Sequence, residues 1–153
     1  MQPLLEGQEI PDLLCAAATL RRTTRAVANL YAEEYGGLVD GPQFSLLALI
    51  NHSPGTNQSA LGRILILDKT TLSRNLRLMQ RQGWIEPVES GDKRERGFQL
   101  TAAGSRLLKR ARPAWQRAQN RLQNALGPAG WKRLFKVANS VTRIAHAAQN
   151  SKQ

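Results

Sequence analysis

Cysteine occurs once in this 153-residue sequence, at Cys15, and histidine only at His52 and His146, far apart along the chain. One cysteine cannot build a disulfide framework or a multi-cysteine metal site within a single chain, so no metal and no cofactor is expected. Long hydrophobic runs are also missing. No stretch of about eighteen apolar residues could span a bilayer, and the first residues, "MQPLLEGQEIPD", lack the basic region and apolar core of a secretory signal. The reading is a cytoplasmic protein without membrane attachment. Catalytic signatures are absent too: no glycine-rich phosphate loop, no serine elbow, no His-Glu-x-x-His and no paired carboxylates beside a histidine, so an enzyme is not expected.

Acid is scarce. The 22 Lys and Arg face 11 Asp and Glu, a formal net charge of +11. Such a balance attracts phosphate polymers or anionic lipid, and the missing apolar span leaves nucleic acid as the better partner. The length fits a single domain over 1–153, able to bury roughly two-thirds of the surface that the unfolded chain exposes.

The pattern is mainly α with a small β hairpin. A helical period runs from Pro11 to Tyr35 through Leu13, Leu20, Val27, Leu30 and Tyr31, and "GGLVDGP" breaks it. Pro42 suits the first turn of a second helix, about Gln43 to His52, with Phe44, Leu47 and Ile50 as its apolar face. "SPG" ends that helix, and Asn57 caps a short third one carrying Leu61, Ile64 and Leu65.

"LDKTTLSRNLRLMQRQGW", Leu67 to Trp84, is the most informative stretch. Asp68 is a good N-cap and Gly83 a good stop. Between them Leu72, Leu76 and Met79 form an apolar stripe, while Thr70, Ser73, Arg74 and Arg77 share the opposite side with no acidic residue among them. "WIEPVES" and "GFQLT" then read as a hairpin, joined by the charged loop "GDKRER" with Lys93, Arg94 and Arg96, and Pro87 keeps its strand at an edge. Thr101 caps a long helix with the stripe Leu107/Leu108, Ala111, Trp115, Ala118, Leu122 and Leu126 and a kink expected at Pro113; Gly127–Pro128 separates a last helix. That helix repeats Trp131, Leu134, Val137/Ala138, Val141, Ile144/Ala145 and Ala148, an apolar seam that reads as a homodimer interface, with packing on the rest of its own domain as the alternative.

The order of elements, the segment Asp68 to Ile85, and the spacing Asp92-x-Arg94 followed by Leu100-Thr101-x-x-Gly104 resemble the winged helix-turn-helix regulators of the MarR (multiple antibiotic resistance regulator) family over nearly the whole chain. "LRRTTRAVANLY" is similar to the first helix of some members. The resemblance implies a winged helix-turn-helix DNA-binding lobe at 42–101 and a helical dimerisation lobe from 10–36 and 102–150. It also implies a homodimer on a pseudo-palindromic operator, usually a repressor, released by a small-molecule effector or an oxidant. Arg74 and Arg77 are then the expected readers of bases in the major groove, Thr70, Thr71 and Ser73 phosphate or mixed contacts, and Asn57 and Gln58 backbone contacts. Lys93, Arg94 and Arg96 belong to the wing, Arg94 being singled out by the Asp92-x-Arg94 match. Cys15 is the sensor candidate, since some relatives carry a peroxide-sensing cysteine near the start of the first helix; Tyr31 and Tyr35 are its conceivable partners, though a free cysteine is also a common small core residue. Tyr31 and Trp115 could likewise line a ligand pocket, against the commoner core role of aromatics on apolar stripes.

Two positions depart from the family pattern. Ile66 stands in the turn where a glycine is usual, and Gly62 where alanine is common. A left-handed backbone would strain a β-branched residue, so the turn is expected to be built differently here. A non-specific architectural or RNA-binding protein is the alternative function, opposed by the direct-readout residues gathered on one helix.

Overall fold

Capping chemistry sets where the elements begin. The computed structural model describes residues 14–89 and 96–150. Helix α1 (Ala16–Tyr35) starts later than the periodicity suggests: Cys15 is its N-cap with an extended backbone (φ −106°, ψ 117°), and Gly36 closes it in the left-handed region. Pro11 to Leu13 lie outside the described residues. Helix α2 (Gly41–His52) starts two residues before Gln43, because Asp40 and Gln43 form a reciprocal capping box. Asp40 Oδ1 accepts from the Gln43 N–H at 2.7 Å, and Gln43 Oε1 accepts from the Asp40 N–H at 3.1 Å. Pro42 occupies the first turn, where no N–H is missed.

Strand β1 (Thr56–Asn57) precedes helix α3 (Gln58–Leu65), whose N-cap Asn57 accepts from the Ala60 N–H at 2.9 Å. Helix α4 (Lys69–Arg81) is capped by Asp68, which accepts from the Thr71 N–H at 2.8 Å. Strands β2 (Ile85–Glu89) and β3 (Arg96–Leu100) pair antiparallel from Ile85 opposite Leu100 to Glu89 opposite Arg96. The sheet has three strands in the order β1-β3-β2, so Pro87 does lie on an outer strand. The strand that the sequence hid is β1, which sets Thr56 opposite Phe98 and Asn57 opposite Gly97. Gly97 is required there, since a Cβ would overlap the backbone of Gly55.

Helix α5 (Ala102–Asn150) is two helical arms, not one rod. The break is at Gly127 (φ 66°, ψ 170°), immediately before Pro128. Pro113 lies inside the first arm, and the dihedrals around it stay helical, so the helix runs through it unbroken. Thr101 fastens the start of α5 to the end of α4: its N–H donates to the Trp84 carbonyl at 3.0 Å and its hydroxyl to the Gly83 carbonyl at 2.5 Å, while its oxygen accepts from the Gly104 N–H at 3.1 Å.

One core joins these parts. Leu46, Leu47, Ile50, Leu61, Leu72, Leu76 and Met79 are fully buried, and Ile85, Phe98, Leu107 and Ala111 close over them from the sheet and the first arm of α5. Each buried leucine-sized side chain contributes about 1.5–3 kcal/mol, so the apolar stripe of α4 alone fixes that helix firmly. Ile64 departs from expectation: it is 58% exposed, turned away from the core that takes Leu61.

Candidate nucleic-acid interface

Fixing Leu72, Leu76 and Met79 inward decides what α4 presents outward. Lys69, Thr70, Ser73, Arg74, Arg77 and Arg81 line one open groove of about 500 Å³. The structure thus brings together four of the predicted residues, Thr70, Ser73, Arg74 and Arg77, and adds Lys69 and Arg81. Those two were legible in principle, lying four residues from Ser73 and Arg77 on the same side. No carboxylate lines the groove.

Asp68, the N-cap of α4, is held below the usual carboxylate range, first by the Thr71 hydroxyl and then by the Thr71 N–H. Thr71 is therefore engaged with the cap and stands apart from the groove-lining set. Its carbonyl also accepts from Asn75 Nδ2 at 3.1 Å. The Thr70 N–H also turns to the Asp68 carboxylate, which meets the positive end of the helix dipole, so it is the Lys69 side chain beside Thr70 that makes this turn favour anions.

A second cleft, of about 770 Å³, adjoins the first and shares Lys69. Gln58, Arg63, Arg96 and His146 give it polar and cationic walls, and Ile66, Leu72 and Phe98 an apolar floor. Gln58 and Arg96 of the predicted set meet here. Asn57 is half-buried with its side-chain oxygen Oδ1 committed to capping α3. Lys93 and Arg94, with Asp92, lie outside the described residues.

The turn between α3 and α4 corrects the expectation for Ile66. It does adopt the left-handed conformation (φ 51°, ψ 47°), with Leu67 N–H donating to the Gly62 carbonyl at 3.0 Å. The turn has the geometry that a glycine would ease, and an isoleucine bears it.

Cys15 is exposed. Tyr31 lies sixteen residues further on, roughly 24 Å along a helix, so the tyrosines of the same chain are not its neighbours. They belong instead to an aromatic ladder: Tyr31 to Tyr35 at 6.2 Å between ring centroids, Tyr35 to Phe44 at 5.4 Å, and Phe44 stacked on Trp115 at 6.0 Å. Burial pushes the Tyr35 phenol well above its ordinary value. Tyr31 and Trp115 are thus partly buried and pack against the core.

Along the second arm of α5, Leu134, Phe135, Val137, Val141 and Ile144 are all exposed, Ile144 at 71%. Phe135, which the seam reading missed, packs edge-on against Trp131 at 4.9 Å. No helix of the described residues is long and apolar enough to cross a membrane.

The fold has known counterparts. The transcriptional regulator MosR of M. tuberculosis, solved in complex with DNA, is 30% identical, with a TM-score of 0.78 over 88% of this chain and 98% of its own. PcaV, a transcriptional regulator from Streptomyces coelicolor solved with its natural ligand, shares the fold at 23% identity and TM-score 0.77, covering 92% of this chain and 99% of that one. The transcriptional regulator HosA of Escherichia coli O157:H7 is 34% identical over 73 residues, which span 47% of this chain and 54% of HosA, about half its length. The sequence profile of the MarR family matches residues 39–95, from just before α2 to the hairpin. On that match and on its likeness to MosR over nearly the full length of MosR, this chain belongs to the MarR family.

Proposed function

We propose that the protein is a transcriptional regulator that binds double-stranded DNA in a sequence-specific manner. It acts in the cytoplasm as a homodimer on a pseudo-palindromic operator, as a repressor. The observation that carries this reading is the acid-free groove on α4, with Arg74, Arg77 and Arg81 in line and the helix anchored behind by Leu72, Leu76 and Met79. A major groove is wide enough to admit such a helix, and an arginine can fork onto guanine O6 and N7 there. Residues 42–101 form the reading lobe, and 10–36 with 102–150 the dimerisation lobe. The uncovered seam from Leu134 to Ile144 supports the second copy, because large apolar side chains at 37–71% exposure are costly to leave in water over several helical turns. A small ligand in the cleft between α4 and the second arm of α5, or oxidation at Cys15, releases the operator.

Selection of bound sequences from a random duplex pool, followed by titration in several salt concentrations, tests the proposal. A two-fold symmetric motif, bound at least 10³-fold more tightly than random duplex, is expected. Enrichment of no motif, with affinity set by salt alone, would instead make the protein an architectural binder.

A further inference from the structure

From Arg96 to the end of the sequence there is no aspartate or glutamate. Helix α5 carries ten Lys and Arg over its 49 residues and not one acid. Surface helices ordinarily intersperse both signs, and an unrelieved positive helix repels itself and the basic groove beside it. The acids that do pair with α5 are Glu33 and Glu34 at the end of α1, and both go to its later arginines. Glu34 pairs with Arg117 at 2.8 Å and with Arg121 at 3.0 Å, and Glu33 reaches Arg121 at 3.5 Å. Of the other eight, Lys132, Arg133, Lys136 and Arg143 lie on the second arm, while Arg106, Lys109, Arg110 and Arg112 cluster on the first, all exposed and none in an ion pair among the described residues.

These four lie within roughly 9 Å along the helix axis, opposite or flanking the side that buries Leu107, Ala111 and Ala114. Their place relative to α4 is fixed. Thr101 ties the start of α5 to Gly83 and Trp84, and Gly104 is pressed so close to the Trp84 carbonyl that a Cβ would overlap it. The cationic ridge therefore begins beside the end of α4 that carries Arg77 and Arg81. Three of the four are arginines, whose planar fork suits phosphate oxygens. Among the described residues no large apolar side chain is exposed between Ile66 and Leu126, so the ridge has no group to insert into a bilayer.

We infer that Arg106, Lys109, Arg110 and Arg112 form a second, sequence-independent contact to duplex DNA, on phosphates that the α4 groove does not reach. The inference rests on the DNA-binding reading of α4 for its partner. The phosphates belong either to the flanks of the bound operator or to a second duplex.

The test compares full-length wild type with R106Q/K109Q/R110Q/R112Q on a short duplex ending at the half-sites and on the same duplex extended by random sequence at both ends. Bridging of two differently labelled short duplexes is followed by energy transfer. Wild type should bind the extended duplex about 10- to 100-fold more tightly at low salt, with a salt slope steeper by about two to four, or should bridge short duplexes. The variant should lose that gain and keep the short-duplex affinity. A charge-conserving R106K/R110K/R112K protein should retain most of it, which separates lost charge from lost folding. Equal affinity of wild type and the glutamine variant for the extended duplex, with no bridging, overturns the inference. So does a loss by the variant confined to phosphatidylglycerol vesicles. R74A/R77A should abolish operator preference yet leave the effect of extension; if wild type shows no preference, the reading of α4 fails while the ridge is still measured on random duplex.

Discussion

Arg117 Nε donates to Glu34 Oε2 at 2.8 Å, and the same guanidinium reaches the Glu34 carbonyl oxygen through Nη2 at 3.3 Å. The last turn of α1 is thereby fastened to the first arm of α5 by residues 83 positions apart. Arg121 adds a second donor to the same carboxylate at 3.0 Å. Arg117 and then Arg121 hold the Glu34 carboxyl below the usual glutamate range.

That lowered value fixes the direction of a pH effect. A group whose folded pKa is depressed contributes stability above its unfolded pKa and loses it as pH falls through the folded value. Wild type should keep this contribution at pH 7 and lose it only below the ordinary glutamate value of 4.5. Glu34→Gln should be less stable than wild type at pH 7, with the gap closing as pH falls below 4.5. Thermal melts across that range measure it, and a gap independent of pH would assign the loss to packing.

The close approach of α5 to the end of α4 gives a second test. Gly104→Ala puts a methyl group into the Trp84 carbonyl, a backbone atom that cannot swing aside. Overpacking of this kind costs about 1–3 kcal/mol or more. Gly130→Ala meets only the Leu126 side chain and should be milder. Denaturant midpoints that rank the two in the opposite order would contradict the packing described.

Ile66 sets opposing effects against each other. A non-glycine residue in the left-handed region costs about 1–2 kcal/mol, which Ile66→Gly relieves. Against this stand roughly 0.5–1 kcal/mol of glycine chain entropy and about half of the 1.5–3 kcal/mol that full burial of an isoleucine contributes, since the side chain is 51% exposed. The terms nearly cancel, so Ile66→Gly should change stability by less than about 1 kcal/mol. Leu61→Ala, one turn earlier and fully buried, should cost about 2–5 kcal/mol. Comparable losses for the two would mean that Ile66 has partners beyond those described.

The exposed seam of α5 makes an assembly prediction. Leu134→Asp/Ile144→Asp places charge on side chains that are 40% and 71% exposed in the single chain, and so should hardly alter the fold of one protomer. In a dimer the same charges would be buried without partners, at several kcal/mol each. The variant should sediment as a monomer at micromolar concentration and lose tight operator binding. A dimer that persists would place the interface elsewhere.

How much of this was legible follows from how local each signal is. Asp68, the three-and-four spacing of Leu72, Leu76 and Met79, and Gly83 act within one helix, and α4 came out with the cap and stripe that the sequence suggested. The capping box at Asp40 is equally local, but was passed over in favour of Pro42. β1 was hidden because two residues carry no alternation; it exists through Phe98, to whose carbonyl the Gly55 N–H donates at 2.9 Å. The Glu34–Arg117 pair had no sequence signal either, its partners being brought together only when α1 packs on α5. At Ile66 the β-branched side chain argues for a differently built turn, yet the left-handed backbone is kept. The cap at Asp68 and the buried Leu61 and Leu72 on either side instead impose that backbone on an unfavourable residue.

The last prediction separates reading from positioning on α4. Arg74 and Arg77 are exposed in the groove with no carboxylate lining it, so each is available to fork onto a base edge. Loss of such a fork costs about 1–3 kcal/mol on the best site and relaxes discrimination at one position, because the wrong bases are no longer penalised. Arg74→Ala and Arg77→Ala should each flatten one position of the selected motif, symmetrically in both half-sites. Thr70→Ala, at the anion-favouring first turn, should weaken all sequences more evenly, as a phosphate contact does. Arg81→Ala lies at the far end of the groove, toward Gly83, and should lower the salt slope by about one without altering the motif. Selection with each purified variant gives the comparison directly. If Arg74→Ala and Arg77→Ala return the wild-type motif, the bases are read by other residues and the α4 arginines only hold the backbone.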